Sequence, residues 1–209
     1  MKFQTLSLYF LAILLCSCTS TKVKSTWKSP QYQGGPISKV AVLVIDERTM
    51  LRQGFENRFV NQLRQGGETA ITTFDLLSLP EIKQDKAAAA ERLNSAGAQG
   101  LVILRLMDSA SYYRETRPGS QRYAETITGW ENYMWYDYYT VAYMDMSPTY
   151  GNEKLKIYLE ASVYDLKTSK RVWSSVTETT FTDRMDRVAE MDPIVAKFID
   201  AMRKDGVVL

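Results

Sequence analysis

Residues 39–45 read Lys-Val-Ala-Val-Leu-Val-Ile, and this short run decides the fold. Its apolar residues follow one another without a break and are mostly β-branched. Such a run leaves no polar side for water and fits a strand covered on both faces. Outward from it, DERTMLRQGFENRFVNQLRQGG places Leu51, Phe55, Phe59 and Leu63 at every fourth position. That is one helical stripe, and Gly66-Gly67 stop it. Thr69 to Phe74 predict a second strand. Leu79-Pro80 with DKAAAAERLNSAG predict a second helix ended by Gly97, and Gly100 to Leu104 a third buried strand. Strand, helix, strand, helix, strand is the order of a parallel α/β sheet with right-handed crossovers.

The pattern changes after Met107. In KLKIYLEASVYD, Leu155, Ile157, Leu159, Ala161 and Val163 face one way. Lys156, Tyr158, Glu160, Ser162 and Tyr164 face the other. LKTSK makes a turn, and RVWSSVTETTF returns as an antiparallel partner. Ile194, Phe198 and Met202, with Val195 and Ile199 beside them, stripe a last helix. Asp192-Pro193 stand at its start and Gly206 closes it. The reading is a single three-layer α/β domain over residues 39–209. Its mixed sheet has a parallel half, an antiparallel hairpin and a C-terminal helix, with an aromatic-rich insertion at about 118–150.

Before the domain, TSTKVKSTWKSPQYQGGPIS (19–38) is rich in Ser, Thr, Gly, Pro and Lys and lacks apolar periodicity. It reads as a flexible tether, averaging roughly 25 Å end to end and reaching about 65 Å when stretched. Trp27 and Tyr32 are odd in a tether and are expected to pack on the domain's edge.

The front of the chain has Lys2 and then an apolar run from Leu6 to Leu15. Crossing a bilayer as a helix takes roughly 20 residues, so this shorter run fits the core of an export signal. Leu15-Cys16-Ser17-Cys18 resembles the bacterial lipobox: an aliphatic residue, a small residue before the cut, and cysteine after it. The resemblance implies cleavage after Ser17 and three acyl chains on Cys18, enough for a permanent anchor. Thr19 stands where aspartate would signal inner-membrane retention, and no acidic run follows. The destination implied is the periplasmic face of the outer membrane. The bland alternative is an ordinary signal peptide with an incidental cysteine. The expected divisions are thus a signal peptide at 1–17, a lipidated tether at 18–38 and the domain at 39–209.

With Cys16 removed and Cys18 acylated, the mature chain holds no thiol, and the sequence contains no histidine. Thiolate and imidazole metal sites are excluded, as are Ser-His and Cys-His nucleophile pairs. The near balance of 26 basic and 24 acidic residues gives no reason to expect nucleic acid. No Gly-x-Gly-x-x-Gly or phosphate-binding loop is present, and no cofactor is expected.

Two groups of residues remain as candidates. Asp46 and Glu47 follow the first buried strand and Asp108 follows the third, at the edge where open α/β sheets bind ligands. They suit a hard cation or acid–base work. The bland reading is that Asp46, Glu47 or Thr49 caps the following helix. Arg105, in an apolar strand, is expected to pair with one of these acids, the other reading being an anion site.

The second group lies in WENYMWYDYY, residues 130–139: Trp130, Tyr133, Trp135, Tyr136, Tyr138 and Tyr139. The stretch has no Leu, Ile or Val, and its adjacent aromatics break strict alternation. Such rings suit places that are apolar at one end and wet at the other. Structural cover for the sheet, a protein-docking surface, glycan stacking and membrane contact all fit.

Three segments, KVAVLVIDERTMLRQGFENRFVNQL, AGAQGLVILRLMD and ASVYDLKTSKRVWSSVTETT, resemble a group of bacterial envelope lipoproteins. That group is similar to the TolB amino-terminal domain, the curli-secretion channel lipoprotein and lipoprotein activators of penicillin-binding proteins. The resemblance rests on apolar positions and the Y-D-x-x-T-x-K-x-V-W hairpin, and it includes no catalytic motif. It implies a membrane-anchored, non-catalytic accessory protein that docks onto an envelope partner. The alternatives are a peptidoglycan-binding module or a hydrolase using the carboxylates above.

Overall fold

The computed structural model describes residues 20–107, 156–180 and 191–209. In chain order the elements are β1 (Ser20–Lys28), β2 (Lys39–Ile45), α1 (Thr49–Gln65), β3 (Thr69–Thr72), α2 (Leu79–Gln84), α3 (Lys86–Ser95) and β4 (Gly100–Met107). They are followed by β5 (Lys156–Asp165), β6 (Lys170–Thr180) and α4 (Met191–Lys204). The strands form one six-stranded sheet in the order β1-β6-β5-β4-β2-β3. β2 runs parallel to β3 and β4, whereas β5 is antiparallel to β4 and to β6. The chain is therefore an α/β domain with a mixed sheet, as its patterning predicts.

Alternation explains the apolar run in β2. Val40, Val42 and Val44 enter a core with Phe59 and Leu63 of α1 and Phe198 and Met202 of α4. Ala41, Leu43 and Ile45 enter a second core with Ile82 of α2 and Leu93 of α3. Successive residues serve opposite cores, so none can be polar. Each fully buried large side chain contributes roughly 1.5–3 kcal/mol over leaving it exposed. The C-terminal stripe behaves as its spacing predicts, with Ile194, Val195, Phe198, Ile199 and Met202 all buried. Gly206 follows α4 at φ 65°, a left-handed conformation that closes the helix.

Two expectations need correction. The first concerns the tether: Ser20–Lys28 form strand β1, paired antiparallel with β6 from Ser20↔Thr180 to Lys28↔Trp173. The strand is held by backbone pairing and polar contacts, since most of its residues are exposed. Thr21 Oγ1 lies 3.1 Å from Thr179 Oγ1, and the Ser175 hydroxyl donates to the Ser25 carbonyl at 2.9 Å. The next residues are docked too, because the Ile37 N–H bonds the Val207 carbonyl at 2.8 Å. Trp27 and Tyr32 do pack on the body: Arg171 lies 5.1 Å from the Trp27 ring, and Tyr32 meets the first core.

The second correction is that the alanine-rich helix is two helices. Asp85 ends α2 and caps α3, its carboxylate accepting the Ala88 N–H at 2.9 Å. The second face of β5 carries Tyr158, Glu160, Ser162 and Tyr164. All four are buried, so polar alternation here does not mark a solvent face.

Candidate functional site

One end of the sheet holds Asp46, Glu47 and the described residues that flank Cys18 and the 108–155 segment. The parallel strands β2 and β4 end there, at Ile45 and Met107. Antiparallel pairing brings the start of β5 and the end of β6 to the same end, through Met107↔Tyr158 and Lys156↔Thr180. β1 begins there with Ser20, two residues after Cys18. Asp46 and Glu47 leave β2 at this end. The segment from 108 to 155 departs from Met107 and rejoins at Lys156, also there. Cys18, Asp108, Trp130, Tyr133, Trp135, Tyr136, Tyr138 and Tyr139 themselves lie outside the described residues.

The carboxylates at this end are not assembled as a cap. Arg48 is the N-cap residue of α1, and no side chain bonds the cap. Asp46 instead accepts from Arg48, from its backbone N–H at 2.8 Å, Nε at 2.9 Å and an Nη at 2.6 Å. Closing this local loop satisfies Asp46 without the helix. Glu47 is exposed. Arg105, expected to pair with Asp46, Glu47 or Asp108, is held by Glu160, and Asp108 lies outside the described residues. The Arg105 Nε donates to Glu160 at 2.7 Å, with an Nη at 2.6 Å. Arg105 and Glu160 are register partners on adjacent strands. Cross-strand opposition sets that choice, and sequence distance hides it.

A buried polar row therefore runs across β4, β5 and β6. Glu160 also lies 3.6 Å from Arg171 and accepts from Ser162 at 3.2 Å. Nearer the sheet end, the Tyr158 hydroxyl donates to Glu178 at 2.7 Å, and Lys24 of β1 is 3.8 Å from that carboxylate. These side chains bond one another across four strands, which fixes their register.

Sequence reading missed a second buried network, on α1. The Glu56 carboxylate accepts from Arg52 Nε (2.9 Å), the Val44 N–H (3.2 Å), and the N–H (2.8 Å) and hydroxyl (3.2 Å) of Thr73. Arg52 also donates to the Leu77 carbonyl at 2.7 Å. Burial pushes the Glu56 carboxyl above its ordinary value, while Arg52 and the two N–H groups pull it back. Arg52-x-x-x-Glu56, one helical turn apart beside an apolar stripe, was the available signal.

A polar groove of about 760 Å³ lies between α1 and α4, lined by Asn57, Arg58, Asn61, Asp192, Asp200 and Arg203 among others. Arg58 and Asp192 pair across it at 3.4 Å. Among the described residues no helix is long and apolar enough to cross a membrane.

No family model and no curated protein matches the sequence. Among solved structures, the chain is similar to PelC from Paraburkholderia phytofirmans, a dodecamer. The identity is 15%, over 86% of this chain and 95% of that one, with a TM-score of 0.47. A single-substitution variant of the PelC dodecamer, in a second crystal form, gives 14% identity over 87% of this chain and 96% of that one, with a TM-score of 0.45. Lipoprotein GNA1162 from Neisseria meningitidis gives 9% identity over 80% of this chain and 99% of that one, with a TM-score of 0.39. Likeness at this level assigns no role or partner.

Proposed function

We propose that this chain is a lipid-anchored envelope protein of the periplasmic side of the outer membrane, a non-catalytic accessory that docks onto another envelope protein. The observation that carries the reading is the run Leu6 to Cys18, an export signal ending in a lipobox, followed almost at once by an ordered domain. The buried acids support it, since Glu56 and Glu160 are held by arginine and serve the fold. The docking surface in this reading is the aromatic stretch with Trp130, Tyr133, Trp135, Tyr136, Tyr138 and Tyr139, where Tyr and Trp would dominate binding energy.

Metabolic labelling with palmitate tests the anchor. The wild-type chain takes up label and sediments with membranes, whereas Cys18→Ser takes up none and is released. Unchanged sedimentation of Cys18→Ser overturns the anchor. A photocrosslinker at position 136 tests the docking surface: a discrete crosslinked envelope protein, lost in Trp135→Ala, is the expected result. Absence of any adduct counts against that surface.

A further inference from the structure

The lipid attachment point and the folded body are one residue apart. Only Thr19 separates Cys18 from Ser20, which pairs with Thr180. Two residues span at most about 7 Å, whereas a free chain of twenty averages roughly 25 Å. β1 cannot swing on that short link, because it is paired along its length with β6. Its far end is pinned as well: Lys28 Nζ donates to the Asp205 carbonyl at 2.6 Å, and the Ser29 N–H to Val172 at 2.9 Å.

Resting on the lipoprotein reading of Cys18, we propose that the sheet end bearing Ser20, Thr180, Met107 and the loop after β2 lies against the lipid headgroups. The strands stand up from the bilayer. The chemistry of that end suits a headgroup layer. Lys22 is exposed on β1, whereas Lys24 and Arg48 already face Glu178 and Asp46, and Glu47 is exposed on the same loop. Met50, at the start of α1 beside that loop, is 81% exposed, an apolar side chain offered at the same end. One lysine and one unbranched apolar side chain beside paired charges suit the polar interface better than the acyl interior. The β5–β6 turn then points away, about 33 Å farther out along the ten residue steps of β6. A partner meeting the body must therefore do so within one domain height of the membrane.

Introduced cysteines are unique thiols in the acylated mature chain, so single dyes can be placed at Lys22→Cys and Lys167→Cys, both exposed positions. The lipidated full chain is reconstituted in phosphatidylethanolamine/phosphatidylglycerol vesicles carrying a headgroup-linked acceptor, and energy transfer is measured. Given the separation along β6, transfer from position 22 should exceed that from position 167 by about threefold or more. A Gly/Ser insertion of about twelve residues between Thr19 and Ser20 should abolish most of that difference. Equal transfer from both positions at native spacing, in vesicles that carry the protein on flotation, overturns the orientation while leaving the anchor intact. Failure of the chain to float with the vesicles overturns the lipoprotein reading, and the orientation with it.

Discussion

The two buried arginine–glutamate pairs occupy opposite halves of one sheet and are built differently. Arg52 and Glu56 sit one turn apart on α1, and the carboxylate takes over where a strand runs out. β3 ends at Thr72, and the Val44 N–H that would meet a longer β3 finds Glu56 instead. Arg105 and Glu160 face each other across β4 and β5 and bond side chain to side chain. The first pair completes the backbone; the second substitutes charge for apolar packing. In the parallel half, α2 and α3 cover Leu101 and Ile103, whereas among the described residues Met107 and Tyr158 cluster with Val176.

That difference sets the order of expected effects. Glu56→Ala should be the most damaging, since it strands a buried guanidinium and orphans a buried N–H, and chemical denaturation should show a loss of about 3–5 kcal/mol. Glu160→Ala should cost about as much or slightly less. The double replacements separate the pairs more sharply. Arg105→Met with Glu160→Leu should recover part of the single-variant loss, because two apolar groups can replace a buried ion pair. The remainder reflects the Arg171 guanidinium and Ser162 hydroxyl that also face Glu160. Arg52→Met with Glu56→Leu should recover less, because the Val44 N–H keeps no acceptor and Thr73 keeps only the Val42 carbonyl. Equal recovery in both doubles would erase the distinction.

Smaller effects refine it. Trp27→Ala removes the ring beside Arg171 and should lower stability by about 0.5–2 kcal/mol. Glu56 also carries a pH signature. Its folded carboxyl holds a proton at higher pH than the unfolded one, whose ordinary value is 4.5. Its contribution is therefore fully present below that value and is lost as pH rises through the raised folded value. Urea midpoints of the wild type, referred to Glu56→Gln, should fall as pH rises across that window. A flat difference would mean that burial does not outweigh the donors.

What the sequence discloses follows from what selects each residue. Val40 to Ile45 and the stripes of α1 and α4 are chosen by apolar cores, and a core leaves a period in the sequence. β1 has no such selection: it is exposed, held through its backbone, and irregular in register between Val23 and Ser25. The irregularity breaks the alternation that Thr21 and Val23 begin, so the strand reads as a tether. Arg105 announces that it needs an acid, but its partner lies 55 residues away. Only strand register selects Glu160 over Asp46, and no local pattern encodes that register. The convergence of Ser20, Met107 and the loop after β2 at one sheet end is likewise a product of topology.

Mass spectrometry of the intact mature chain, extracted from bacterial envelopes, tests the central claim most directly. A chain beginning at Cys18, without residues 1–17 and with acyl chains on that cysteine, is the predicted result. A chain that retains the leader, or that carries Cys18 as a free thiol, would contradict it.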